Sequence, residues 1–171
     1  MRSVVRQVLC SLGKLNQLVI IGGQVLEYAG FWDEPLFKQV IRERIGRRYM
    51  AERSEESLAM CAFLLEKAAG TEHLDPLIRG MEKALEGSSL DPVPPVLDAA
   101  LAALWKKGAL TDDLIRFSLR LRSPQALAAA RPLVEDPKAP KAQRLEFLKA
   151  LAELQDPMSA MLFLELFRKP T

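Results

Sequence analysis

A chain of 171 residues is long enough to bury a substantial core. With hydrophobic residues at 49% and charged residues at 27%, its composition excludes a disordered tract. A formal net charge of +2 shows none of the basic excess carried by proteins that grip phosphate backbones. Aromatics are only 6% while Leu and Ala abound, so an aliphatic helical core is expected over one of strands, which favour Val, Ile, Thr and rings.

In chain order, helices are predicted near Ser3–Leu12, Gln17–Ala29 and Glu34–Ala51, joined by residues 13–16 and by Gly30–Asp33. The short apolar run Leu18–Ile21 has no partner run for a sheet, and Gly22 and Gly23 break it long before the roughly 18 residues of a membrane span. Arg2 and Arg6 precede a short apolar piece, but Lys14, Asn16 and Gln17 interrupt it. Cys10 follows Val8 and Leu9 without the small residue of a lipoprotein cleavage site. No signal peptide is expected, which makes a cytoplasmic location the default. Phe31 and Trp32 are placed to plug the gap before the long helix.

Punctuation sharpens from residue 54. Ser54 before Glu55 and Glu56 reads as an N-cap with an acidic first turn, followed by a core stripe at Leu58, Cys61, Ala62 and Leu65 and a stop at Gly70. Thr71 or Asp75-Pro76 opens the next helix, which carries Leu77, Ile78, Met81 and Leu85 up to Gly87. Val96–Lys107 then runs to Gly108, and Thr111 with Asp112 and Asp113 caps the helix holding Leu114, Ile115, Leu119 and Leu121.

The pairs Asp91-Pro92, Ser123-Pro124 and Asp156-Pro157 stand 32 and 33 positions apart. Each is expected to place an N-cap oxygen before a proline at the first helical position. The same shift lays Ile115 on Phe147, Leu119 on Leu151 and Leu101 on Leu133. A period of this size is the mark of stacked helix pairs. The expected fold is all-α, a HEAT-like α-solenoid of antiparallel helix pairs with about nine or ten helices. It would form a single domain over residues 1–171, irregular over 1–53 and more regular over 54–171.

Candidate chemistry is sparse. The chain has one histidine, His73, which could act as a general base beside Glu72 or Asp75, with Tyr28 as a further polar group; an exposed first-turn residue is the expectation. There is no Cys-x-x-Cys, no His-x-x-x-His, no Asp-rich loop and no Cys-x-x-Cys-His, so neither metal nor cofactor is expected. Cys10 and Cys61 sit in apolar stretches and read as buried thiols, although spacing leaves a disulfide open. Lys38, Arg42, Arg44, Arg47, Arg48 and Arg53 form the one basic cluster. Lys38 shares a face with Arg42 and Arg44 with Arg48, and Arg47 adds a third direction. A solvated helix paired to Glu34, Glu43 and Glu52 is expected there, with Tyr49 and Trp32 as stacking platforms should a nucleic acid bind. In the last helix, Met158, Met161, Leu162, Phe163, Leu164, Leu166 and Phe167 point all round, which calls for neighbours on every side.

Residues 47–52, 58–65 and 80–87, then Asp136-Pro137-Lys138-Ala139-Pro140, Arg144-Leu145 and 151–157, resemble a HEAT-like region of large planctomycete proteins. In that family the region links a dehydrogenase-like β-propeller to a C-terminal c-type cytochrome. The resemblance spans roughly residues 32–167 and rests on helix caps and turns. It implies a spacer or docking module and an exported parent protein. The propeller and the Cys-x-x-Cys-His are missing here, so no catalytic or haem residue carries over. Taken together, these features predict a non-catalytic interaction or scaffold module. It would contact a protein partner, or a second copy, through Met158, Met161, Leu162, Phe163, Leu166 and Phe167. The alternative is a nucleic-acid binder using the Arg42–Arg53 helix.

Overall fold

The computed structural model describes residues 29–108, 110–154 and 157–168, without the side chains of Ala29, Phe31, Pro157, Met158, Leu166 and Phe167. The helices expected at 3–12 and 17–28, with Cys10 and Tyr28, lie outside the described residues. Every regular element among those described is helical: α1 (Ala29–Asp33), a π-helical turn (Phe37–Ile41), α2 (Arg42–Glu52), α3 (Glu55–Ala68), α4 (Leu74–Ala84), α5 (Pro95–Lys106), α6 (Asp112–Arg120), α7 (Pro124–Glu135), α8 (Lys141–Glu153) and α9 (Pro157–Arg168). The chain is all-α over this range. No helix among the described residues is long and apolar enough to cross a membrane.

Several boundaries follow from local chemistry. Ser54 Oγ accepts from the Ser57 N–H at 3.1 Å and Thr111 Oγ1 from the Leu114 N–H at 3.3 Å, so both caps sit where their acidic first turns placed them. Gly70, Gly87 and Gly108 end their helices with φ of 82°, 72° and 74°, the left-handed stop that suits glycine. Arg53 and Arg122 take the same conformation, with φ of 56°, at the ends of α2 and α6.

Other boundaries differ from expectation. Residues 30–33, expected as a connector, belong to α1, and the long helix predicted from Glu34 starts with the π turn before becoming α-helical at Arg42. Asp91-Pro92 caps nothing: it precedes α5 by several residues, and Pro95 takes the first helical position behind Pro94. Ser123 does precede Pro124 at the start of α7, but its side chain makes no capping bond. Of the three pairs, the proline therefore recurs at a helix start in two, α7 and α9.

Alternate helices pack side by side. α2 lies on α4, α4 on α6 and α6 on α8; α3 lies on α5, α7 sits against α6 and α8, and α9 against α8. The closest approach is α2 on α4, where glycines face backbone. A Cβ on Gly80 would stand 1.9 Å from the Glu43 carbonyl oxygen, and one on Gly46 would stand 2.5 Å from that of Leu77. Only glycine lets two helices meet this closely.

The apolar interior falls into two clusters. The first gathers Phe37, Met50, Leu64, Leu65, Leu77, Ile78, Met81, Leu85 and Leu97. The second gathers Ala126, Ala130, Val134, Phe147, Ala150, Leu151 and Leu162. α6 walls both: Leu114, Phe117 and Leu121 face the first, Ile115 and Leu119 the second. The predicted repeat partners Ile115 and Phe147, and Leu119 and Leu151, thus meet in one core, whereas Leu101 is buried in the first and Leu133 only borders the second.

Candidate functional site

Three polar assemblies arise from this packing. The first is buried between alternate helices. Arg120, 3% exposed, projects from α6 and donates from Nε to Glu82 Oε1 of α4 at 2.9 Å, and from Nη1 to the Leu85 carbonyl at 3.2 Å and to Glu153 Oε2 of α8. Glu153 also accepts from the Gly87 N–H at 3.0 Å. Asp113, at the start of α6, accepts from Arg79 of α4 at 3.0 Å and from Arg116 within its own helix. Lys83 reaches Glu43 at 2.7 Å, Thr111 reaches Asp75 at 2.9 Å, and Gln143 reaches Asp112 at 2.7 Å.

Each contact between alternate helices in the series α2, α4, α6 and α8 is therefore tied by a polar bond between residues some 31 to 40 apart in sequence. Burial penalises the Arg120 cation, yet its bonds to Glu153 and Glu82 outweigh this and hold it protonated. Burial pushes the Glu153 carboxyl up, and the bonds from Arg120 and the Gly87 N–H more than reverse it, leaving the carboxyl below its usual range. With every charge matched, this network fastens helices together.

The second assembly surrounds His73. Expected as an exposed first-turn residue, His73 is instead 6% exposed. Its ring lies edge-on to Trp32 at 5.3 Å and to Phe37 at 5.9 Å, and those two rings meet at 5.0 Å. Burial lowers the imidazole's proton affinity, and Nδ1 has no hydrogen-bond partner. The reason for the correction is tertiary: α1 and the π turn bring two aromatics over the start of α4. Glu72 faces outward, pairing with Lys38 at 2.8 Å, while Arg42 donates to the Glu72 carbonyl at 3.2 Å. Lys38 also pairs with Asp33 at 3.2 Å. The rings assigned to nucleic-acid stacking, Trp32 and Tyr49, are both buried.

The third assembly is open. Lys38 and Arg42 turn to Glu72, but Arg44, Arg47 and Arg48 are exposed and line one shallow depression with Ala51 and Glu52. The three arginines share a face, because positions three and four apart on a helix are neighbours. Arg47 stands about 60° from Arg44 and 100° from Arg48, on the flank of that face nearer α4, where its backbone N lies beside Gly80. The pairing expected with Glu43 goes to Lys83 of α4 instead, and none of the three arginines makes an ion pair among the described residues.

On α9, Leu162 is buried, whereas Met161 and Leu164 are 57% and 59% exposed. Phe163 is half-buried; the side chains of Met158, Leu166 and Phe167 lie outside the described set. Cys61 is a free thiol that burial pushes up to about 12, so it stays protonated at neutral pH. Among the described residues no group of three or more His, Cys, Asp or Glu could hold a metal ion.

No family model, curated protein or solved structure matches this chain. The buried network and the His73 cluster escaped sequence reasoning. For the network, a 33-to-40-residue spacing of opposite charges was the only written signal, and charge pairs at that range carry little weight without a structure.

Proposed function

We propose that the chain is a non-catalytic helical-repeat module, a HEAT-like α-solenoid of antiparallel helix pairs, that holds a protein partner or a second copy. The observation that carries this proposal is the repeated interface. Helices α2, α4, α6 and α8 pack successively, and each of these contacts is tied by a charged or polar bond between the paired helices. Stacks of this kind present extended surfaces and contribute contacts rather than chemistry. The exposed Met161 and Leu164 support α9 as one contact element. The resemblance to a spacer between redox domains fits the same role, as a region detached from a larger protein.

Light scattering beside a dye-binding assay for apolar surface tests it. The expected result is self-association or dye binding that Met161→Glu with Leu164→Glu removes. A clean monomer that binds no dye would overturn the role of α9.

Nucleic-acid binding through the Arg42–Arg53 helix is a second reading, favoured by the open face of Arg44, Arg47 and Arg48. Its signature would be retention on a nucleic-acid column that falls steeply with salt.

A further inference from the structure

We propose that the face formed by Arg44, Arg47 and Arg48 is a docking surface for an acidic helix of a partner protein. This rests on the interaction-module reading and names the partner's chemistry at a place other than α9.

The position of the face comes first. Gly46 marks the side of α2 that lies against α4. At about 100° per residue, Arg44 and Arg48 each stand roughly 160° from Gly46. Arg44 and Arg48 therefore point away from α4, on a side where no other helix of the series α2, α4, α6 and α8 lies among the described residues, and Arg47, about 100° from Gly46 with its backbone near Gly80, stands at the edge of that face. Every closed contact in that series matches a cation or polar donor with an acid: Lys83 with Glu43, Arg79 with Asp113, Arg120 with Glu82 and Glu153, Gln143 with Asp112. At the open side the same design is half written. Among the described residues the only acid lining the depression with the three arginines is Glu52 of the same helix, and the matching element would be a helix rich in Asp or Glu.

This chain does not supply that helix. Residues 1–28 hold one acid, Glu27, against Arg2, Arg6 and Lys14. In a head-to-tail second copy, the exposed charges of α8 would be Lys141, Glu146 and Lys149, which bring two cations and one acid to three arginines. A nucleic acid fits less well than a protein. Trp32 and Tyr49, the rings assigned to stacking, are buried, so neither offers a platform beside the face. Glu52 lines the same depression and repels phosphate, but it suits a peptide that carries one base among its acids. Three cations also fall short of the roughly six to ten phosphate contacts of a firm duplex binder.

The test uses the full chain and fluorescence anisotropy. Probes are a labelled amphipathic helical peptide with a Glu-rich face, its Lys-rich counterpart, a DNA duplex and a single-stranded RNA. Because Arg44, Arg47 and Arg48 are exposed and make no ion pair among the described residues, R44E/R47E/R48E is expected to fold, as checked by its thermal melt. K106E/K107E/K141E makes the same charge change at exposed sites elsewhere. The acidic peptide should bind the parent chain, lose at least about tenfold in affinity with the arginine variant, and stay within about threefold with the control. The proposal is overturned by equal losses in both variants, by no binding of the acidic peptide, or by tighter nucleic-acid binding that the arginine variant abolishes. If the α9 variant removes self-association while the peptide ignores the arginines, the module reading stands and this face alone falls.

Discussion

The two parts of the described chain close their cores by different means. From α1 to α5, with one face of α6, the core depends on what is missing: Gly46 and Gly80 let α2 and α4 approach backbone to backbone, and large side chains fill the space around that crossing. From α7 to α9, with the other face of α6, small side chains do the same work less tightly. Ala126, Ala130 and Ala150 are fully buried beside Phe147 and Leu151. α7 also runs through Pro132, which has no N–H to give the carbonyl four residues back. The first part is set by backbone shape and should tolerate little change. The second is set by side-chain fill and has more room to adjust. Arg120 ties them, since its partners lie on α4 and α8.

The largest expected effect tests that contrast directly. Gly80→Ala would drive a Cβ into the Glu43 carbonyl, and no rotamer can relieve a clash with backbone. A loss of about 3 kcal/mol or more is expected in urea unfolding. The opposite change in the second part, Ala130→Gly, should cost about 1 kcal/mol. Equal losses would erase the distinction.

Arg120→Ala comes next. It removes the main cation of Glu82 and Glu153, whose side chains are 10% and 23% exposed, and should cost about 2–3 kcal/mol, less than a fully buried pair because Glu153 keeps the Gly87 N–H and Glu82 keeps Arg116 at 4.0 Å. Hydrogen exchange should show faster opening in both α4 and α8. Protection lost on one side alone would mean that Arg120 does not couple the two parts.

The smallest effect separates the parts by pH. Burial lowers the folded pKa of His73 from 6.5, while Glu72 opposes this and Arg42 and Lys38 add to it. The unfolded imidazole takes up its proton near 6.5 and the folded one resists it. The stability contributed is thus complete above 6.5 and is lost as pH falls below it. His73→Phe should flatten that slope, read from thermal melts between neutral and mildly acid pH. In the second part the depressed Glu153 carboxyl contributes stability that is lost only as pH falls below its ordinary 4.5.

Much of the first layer of structure was legible in the residues. Ser54 and Thr111 announced their helices because a cap needs only a hydroxyl and the next three residues. Gly70, Gly87 and Gly108 announced the ends, and the stripe Leu77, Ile78, Met81 and Leu85 announced a buried face. The proline pairs were less faithful. Asp91-Pro92 resembles a helix start but lies in the turn before one, because Pro94 and Pro95 supply the start instead. Of the candidate surfaces, the arginine cluster and the separation of Lys38 and Arg42 from Arg44 and Arg48 were legible from helical spacing, but not which of the two faces would find a partner. Lys38 and Arg42 turn to Glu72 at the surface while Arg44, Arg47 and Arg48 line a separate depression, and that depends on where α1 and α4 lie.

The sequence by itself determined that this chain is helical and where most of its helices begin and end, since those features depend on neighbours within one turn. Only the tertiary structure decided that Gly46 meets Leu77 and Gly80 meets Glu43, that Arg120 sits between Glu82 and Glu153, that His73 is enclosed by Trp32 and Phe37, and that three arginines face outward together. The reason is range. Caps and stripes are local, whereas each of these contacts joins residues about 30 or more positions apart, and only the packing of one helix on another brings them within reach.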